Sequence, residues 1–102
     1  MDAGIIERSA QALRDASPPG SCVVLFGSRA RGTDRADSDV DFLVIQPEVT
    51  SRISEAARLA RVLRPLRIAA DILVVSKATY EEWKDTPNSV FYEAARYGRV
   101  LA

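Results

Sequence analysis

The chain has 102 residues, 47% of them hydrophobic and 27% charged, with zero net charge. That length suits one compact domain over residues 1–102, and the charge balance excludes a general pull toward nucleic acid or anionic membrane, so any phosphate affinity is local. The lack of histidine removes Ser-His-Asp triads, Cys-His pairs and histidine-ligated zinc, and the lone cysteine removes an internal disulfide.

The opening Met1-Asp2-Ala3-Gly4 has neither a basic region nor a long apolar segment, so no signal peptide is expected and a cytoplasmic setting is the default. No apolar run approaches the ~20 residues of a membrane helix. Residues 3–15 read as a helix with Ile5, Ile6, Ser9, Ala12 and Leu13 on one face, stopped by Ser17-Pro18-Pro19-Gly20. Residues 21–26 are a continuous apolar run bounded by turn residues, the pattern of a buried strand. Cys22 lies in that run and reads as an inert thiol. Residues 27–38 form a polar connector with a short helix expected at 28–31, and Val40 to Gln46 reads as a second buried strand ended by Pro47.

Residues 51–64 carry the clearest amphipathic pattern. Ile53, Ala56, Ala60 and Leu63 share the expected core face, Arg58 and Arg61 point away, and Pro65 sets the limit. Ala70 to Val75 reads as the third strand. Ser76 or Thr79 caps a helix near 79–84, and Thr79 with Glu82 fits a capping box. Thr86-Pro87 fits the opening of a last helix that runs to Tyr97 and ends at Gly98. The fold class is therefore α/β (α+β) in the order αβαβαβα, with a small mixed three-stranded sheet and flanking helices.

The chemistry concentrates in Phe26-Gly27-Ser28-Arg29-Ala30-Arg31-Gly32 and Ser38-Asp39-Val40-Asp41-Phe42. Residues two apart on a strand face one side, so Asp39 and Asp41 present two carboxylates together. Two adjacent anions at the edge of a core are costly without a cation, and oxygen-only ligands favour a hard one such as magnesium or manganese. Gly27 lets the backbone approach a ligand, the amides after it form an anion cradle, Ser28 adds a hydroxyl, and Arg31 offers a forked pair of donors to phosphate.

A third carboxylate follows from topology. If the Gly27-Ser28 turn and Asp39-Asp41 are to meet, the first two strands run antiparallel. Helix 51–64 is then a crossover that sets the third strand parallel to the second. Its start, next to Asp39 and Asp41, carries Asp71.

Other readings of these residues are weaker. Asp37, Asp39 and Asp41 have the spacing that opens a calcium EF-hand loop, with Glu48 at its twelfth position, but Phe42 stands where the loop needs glycine. Asp37 reads as a solvated turn residue. Neither a Walker pattern nor Gly-x-Gly-x-x-Gly is present. The arginines at 52, 58, 61, 64 and 67 read as a solvated face rather than a nucleic-acid contact, and Trp83, Phe91 and Tyr92 as core or interface residues.

Gly27-Ser28, Arg31-Gly32, Asp39-x-Asp41 and the strand-borne Asp71 resemble the DNA polymerase beta-type nucleotidyltransferase superfamily. The compact length resembles its minimal nucleotidyltransferase branch, the antitoxin partners of HEPN-domain toxins. The resemblance implies a nucleotidyltransferase fold. It implies two magnesium ions, with manganese as a substitute, bridged by Asp39 and Asp41, with Asp71 binding the catalytic metal and helping to activate the acceptor hydroxyl. It implies that Gly27, Ser28 and Arg31 hold the triphosphate. The implied reaction moves AMP from ATP to a tyrosine of a HEPN toxin. Two alternatives stay open: an antitoxin that neutralises its partner by binding alone, and a transferase acting on a small molecule of the aminoglycoside type.

Overall fold

Residues 3–27 and 40–102 are described by a computed structural model. The first helix, α1, spans Ala3–Asp15 and buries Ser9, Ala10 and Leu13. Ser9 is a polar residue on that face, and its hydroxyl donates back to the Ile5 carbonyl at 2.6 Å. Strand β1 (Cys22–Phe26) and strand β2 (Val40–Gln46) follow as antiparallel neighbours, with Phe26 opposite Asp41. Helix α2 (Arg52–Leu63) is capped by Ser51 and runs on into a 3-10 turn at Arg64–Leu66. Pro65 is thus accommodated within a tightened last turn, where its missing N–H costs little.

Strand β3 (Ala70–Ser76) returns parallel to β2, as a helical crossover requires. Helix α3 (Lys77–Trp83), helix α4 (Val90–Tyr97) and a short strand β4 (Arg99–Val100) complete the described chain. The sheet order is β3-β2-β1-β4, a mixed sheet of four strands rather than the expected three. Strand β4 was hidden because two residues carry no periodicity. Its place comes from pairing with β1, extended by Val23 N–H to the Ala102 carbonyl at 2.8 Å. The helix expected at 28–31 lies outside the described residues.

The sheet is covered on both faces. Ala10, Leu13, Leu59 and Leu63 from α1 and α2 pack against Val23, Leu25, Val40, Phe42, Val44 and Val74. On the other side Ala94, with Tyr80, Val90 and Phe91 from α3 and α4, packs against Val24, Phe26, Leu43, Ile45 and Val75. Coverage on both faces explains why β1 and β2 read as continuous apolar runs without alternation.

Several details differ from the sequence expectation. The buried residues of α2 are Leu59 and Leu63, while Ile53 is 85% exposed and Ala60 is also exposed. Leu63 and Ala56 of the expected face do meet the core, while Leu59 takes the place expected of Ile53 and Ala60. Arg58 does not point away. It donates to Glu55 at 2.7 Å and to the Ala16 carbonyl at 2.6 Å, tying α2 to the end of α1. Helix α3 begins at Lys77 with Ser76 as its cap, since the Ser76 hydroxyl accepts from Thr79 N–H, so Thr79 is not the cap. Helix α4 begins at Val90, with Ser89 as the cap in place of Thr86. Thr86 and Pro87 belong to the preceding turn, where Asn88 adopts a left-handed conformation at φ 70°. Trp83 is 45% exposed, whereas Phe91 packs against the second core cluster. Gly98 ends α4 as expected, but in extended backbone. A Cβ there would run into the Ala94 carbonyl oxygen and lie 2.8 Å from Val24.

Candidate functional site

Asp41 and Asp71 are direct register partners in the parallel pair β2–β3. Strands in a sheet lie about 4.8 Å apart, so the two backbones hold these residues as immediate neighbours. Alternation then fixes their side. Val40, Phe42 and Val44 face α1 and α2, and Leu43 and Ile45 face α4. Asp41 therefore points with Leu43. In β3, Val74 belongs to the first side and Val75 to the second, so Asp71 shares the side of Asp41. Asp41 is half-buried and Asp71 is exposed.

Gly27 closes this corner. It follows β1 directly, opposite the start of β2, and its φ is +78°, a conformation that L side chains rarely adopt. A Cβ on it would collide with the Asp41 carboxylate. The residue is glycine for two separate reasons, one conformational and one steric. The Asp41 carboxylate occupies the space that a side chain would need.

The three residues make a corner with a definite chemical preference. Two carboxylates on adjacent strands set oxygen donors side by side, an arrangement that a cation between them stabilises. Oxygen donors at the rim of a sheet suit a hard divalent ion. The donor set therefore fits magnesium or manganese. Asp39, Ser28 and Arg31, the other expected site residues, lie outside the described residues.

A cavity of about 380 Å³ opens beside the same corner, lined by Phe26, Gly27, Asn88, Ser89, Val90 and Glu93. Sequence reasoning missed Asn88 and Glu93 as members of this neighbourhood. For Glu93 a signal existed: it is the one acidic residue in the apolar stretch Val90-Phe91-Tyr92-Glu93-Ala94-Ala95. Cys22, expected to be a buried inert thiol, is less buried than that. It is half-buried, and desolvation pushes its thiol above the ordinary value.

A profile of the nucleotidyltransferase domain family matches residues 6–98. No curated protein matches significantly. Among solved structures, a toxin–antitoxin complex with AMP-PNP aligns at 22% identity and TM-score 0.57, covering 94% of this chain and 72% of the other. A nucleotidyltransferase from Sulfolobus solfataricus, itself described as assigned by inference, aligns at 24% identity and TM-score 0.59, covering 80% of this chain and 73% of the other. A tri-AMPylated HEPN toxin from Shewanella oneidensis in complex with MNT antitoxin aligns at 20% identity and TM-score 0.56, covering 100% and 72%. At these identities the likeness is one of fold.

Proposed function

Since the chain belongs to the nucleotidyltransferase domain family, we propose that it transfers AMP from ATP to a hydroxyl of a HEPN-type toxin, a tyrosine by resemblance, and acts as that toxin's antitoxin. The observation that carries the transfer is the juxtaposition of Asp41, Asp71 and Gly27 at one corner of the sheet. The choice of partner is supported by fold neighbours that are toxin–antitoxin complexes, one with AMP-PNP and one with an AMPylated toxin. A single domain in a cytoplasmic setting carries the activity, and among the described residues no helix is long and apolar enough to cross a membrane.

In this reading Asp41 would hold divalent metal together with Asp39 and Asp71. Two magnesium ions, or manganese in their place, would supply charge neutralisation on the phosphates and on the leaving pyrophosphate. Gly27, with Ser28 and Arg31, would hold the triphosphate through main-chain amides, the hydroxyl and the guanidinium. The acceptor hydroxyl oxygen attacks the α-phosphorus, the bond from that phosphorus to the bridging oxygen breaks, and pyrophosphate departs. Asp71 takes the hydroxyl proton. It is the exposed member of the pair, so a partner's side chain reaches it without entering the core.

Asp71→Asn tests the reading. The variant should co-purify with the partner, since one carboxylate is a small part of an ordinary interface. Intact-mass analysis should show added nucleotide with the wild-type chain and none with the variant. A wild-type chain that binds its partner and never modifies it, with magnesium or manganese and each nucleoside triphosphate supplied, would make it an antitoxin by binding alone. Normal transfer by Asp71→Asn would remove Asp71 from the mechanism.

A further inference from the structure

The two edges of the sheet differ in kind. Strand β4 forms one edge with two residues, and β3 forms the other with seven residues in unbroken register with β2. A long flat edge is an open template for another strand unless proline, lysine or a bulge blunts it. Ala70-Asp71-Ile72-Leu73-Val74-Val75-Ser76 contains neither proline nor lysine, and its register with β2 has no bulge. One hydrogen bond fixes which groups face outward. Val40 N–H donates to the Ala69 carbonyl at 3.0 Å. In a parallel ladder this turns the N–H and C=O groups of Asp71, Leu73 and Val75 toward β2, and those of Ala70, Ile72 and Val74 outward. Among the described residues β2 is the only strand beside β3. Apolar side chains also flank this edge. Leu73 is 41% exposed, and Ile53 of α2 is more exposed still. Both line a groove of about 230 Å³ along the edge, with Ala56, Ile72 and Val74. Ile53 belongs to the apolar stripe of α2, yet the chain's own core leaves it uncovered.

We propose that β3 pairs antiparallel with β3 of a second copy of this chain, about a two-fold axis at Leu73, and joins the two sheets edge to edge. The strand is complementary to itself, as such an axis requires. Leu73 is the midpoint of Ala70–Ser76, so all seven residues overlap. Ile72 of each copy then stands opposite Val74 of the other. These are residues whose main-chain groups face outward, so each pair exchanges two hydrogen bonds. Leu73 meets its own counterpart as a non-hydrogen-bonded pair, the closer kind, where two exposed leucines cover each other. Asp71 stands opposite Val75, so the strands set no charge against a like charge. Ile53 shares the groove with Leu73 and Val74, which places it near the axis, where a second copy covers it. A foreign extended segment could use the same main-chain groups. The second copy is favoured because it matches the length, the outward groups and the apolar side chains of the edge at once. The pairing does not depend on nucleotidyl transfer.

Sedimentation of the full chain over a range of micromolar concentrations tests the pairing. The wild-type chain should show a monomer–dimer equilibrium. Leu73→Lys, which sets two cations against each other at the axis, should raise the dimer dissociation constant about tenfold or more. Ile53→Glu should raise it by less. Both side chains are exposed, so circular dichroism of the variants should match the wild type. Cross-linking reads the register. In a Cys22→Ser background, Leu73→Cys should form an intermolecular disulfide under mild oxidation, since the Cα atoms of such a pair lie about 4.5 Å apart, within disulfide reach. Val100→Cys, on the β4 edge, should not. A wild-type chain that stays monomeric throughout would overturn the proposal. So would a dimer that Leu73→Lys does not weaken and Leu73→Cys does not link. Cross-linking at Val100 and not at Leu73 would move the contact to the other edge and overturn it as well.

Discussion

Strand β2 carries a polar residue near each end, and the two ends treat polarity in opposite ways. At its exit Gln46 is 2% exposed and fully engaged: its amide donates to Glu55 at 2.7 Å and to the Ser17 hydroxyl at 3.1 Å. Arg58 closes the group by pairing with Glu55 and reaching the Ala16 carbonyl. The guanidinium beside Glu55 holds its carboxyl at about 2, against an ordinary 4.5. At its entrance Asp41 is the register partner of Asp71 and its carboxylate abuts Gly27. Negative charge at the exit is neutralised by the chain's own cation and amide. At the entrance, two acidic residues share one register position on adjacent strands. The first arrangement ties α1, β2 and α2 together, and the second is where we propose that a metal-bound ligand sits. Size does not distinguish them, since the cavity at the exit, about 510 Å³, is larger than the one beside Gly27.

Substitutions at the two ends should therefore separate function from stability. The largest effect is expected from Asp41→Asn. Transfer should fall about 10³-fold or more, as expected when charge stabilisation of the transition state is lost. The melting temperature should hold or rise, because one of two facing negative charges is gone. A large loss of stability with unchanged transfer would reverse the assignment of this end.

Gly27→Ala comes next and should damage both properties. The left-handed backbone costs a non-glycine residue about 1–2 kcal/mol, and the new Cβ meets the Asp41 carboxylate. Denaturant unfolding should show the stability loss, and nucleotide titration a loss of affinity. Unaltered nucleotide affinity would show that the open corner is only a turn.

The smallest effect belongs to the exit. Arg58→Ala should cost about 1 kcal/mol of stability, the scale of a partly exposed ion pair with hydrogen bonds, and leave nucleotide binding intact. It should also change the acid limb of the stability curve. Glu55 has a folded pKa depressed from 4.5 to about 2, so its contribution is fully present above about pH 4.5 and is lost as pH falls toward 2. Without Arg58 that loss should shrink. An acid limb identical to wild type would mean that Gln46 alone holds the carboxylate.

Much of this was legible in the sequence because it rests on short-range rules. The two buried strands announced themselves as apolar runs, and the need for Gly27 to meet Asp41 required β1 and β2 to be antiparallel and β3 parallel to β2. That topology placed Asp71 beside Asp39 and Asp41, and the register makes it the partner of Asp41. What was illegible depended on contacts distant in sequence. Arg58 looked like a solvated arginine, since nothing local reveals the Ala16 carbonyl 42 residues away. Ile53 fitted a helical stripe as well as Leu59 did, and only docking on the sheet decided between them. Thr86-Pro87 and Ser89 are both sound starts for a helix, and the choice fell to Ser89, whose hydroxyl accepts from Tyr92 N–H and donates into the preceding turn. Strand β4 exists only through its pairing with β1.

The central claim is that the Asp41–Asp71 corner is built for a metal-bound triphosphate. Its most direct test is a calorimetric titration of the wild-type chain with ATP, in excess magnesium and again in excess chelator, with Arg58→Ala as the control for the other end of β2. The account predicts binding at least about tenfold tighter with magnesium, from the charge neutralisation a divalent ion provides, and the same dependence in the control. Equal affinity in magnesium and in chelator would contradict it.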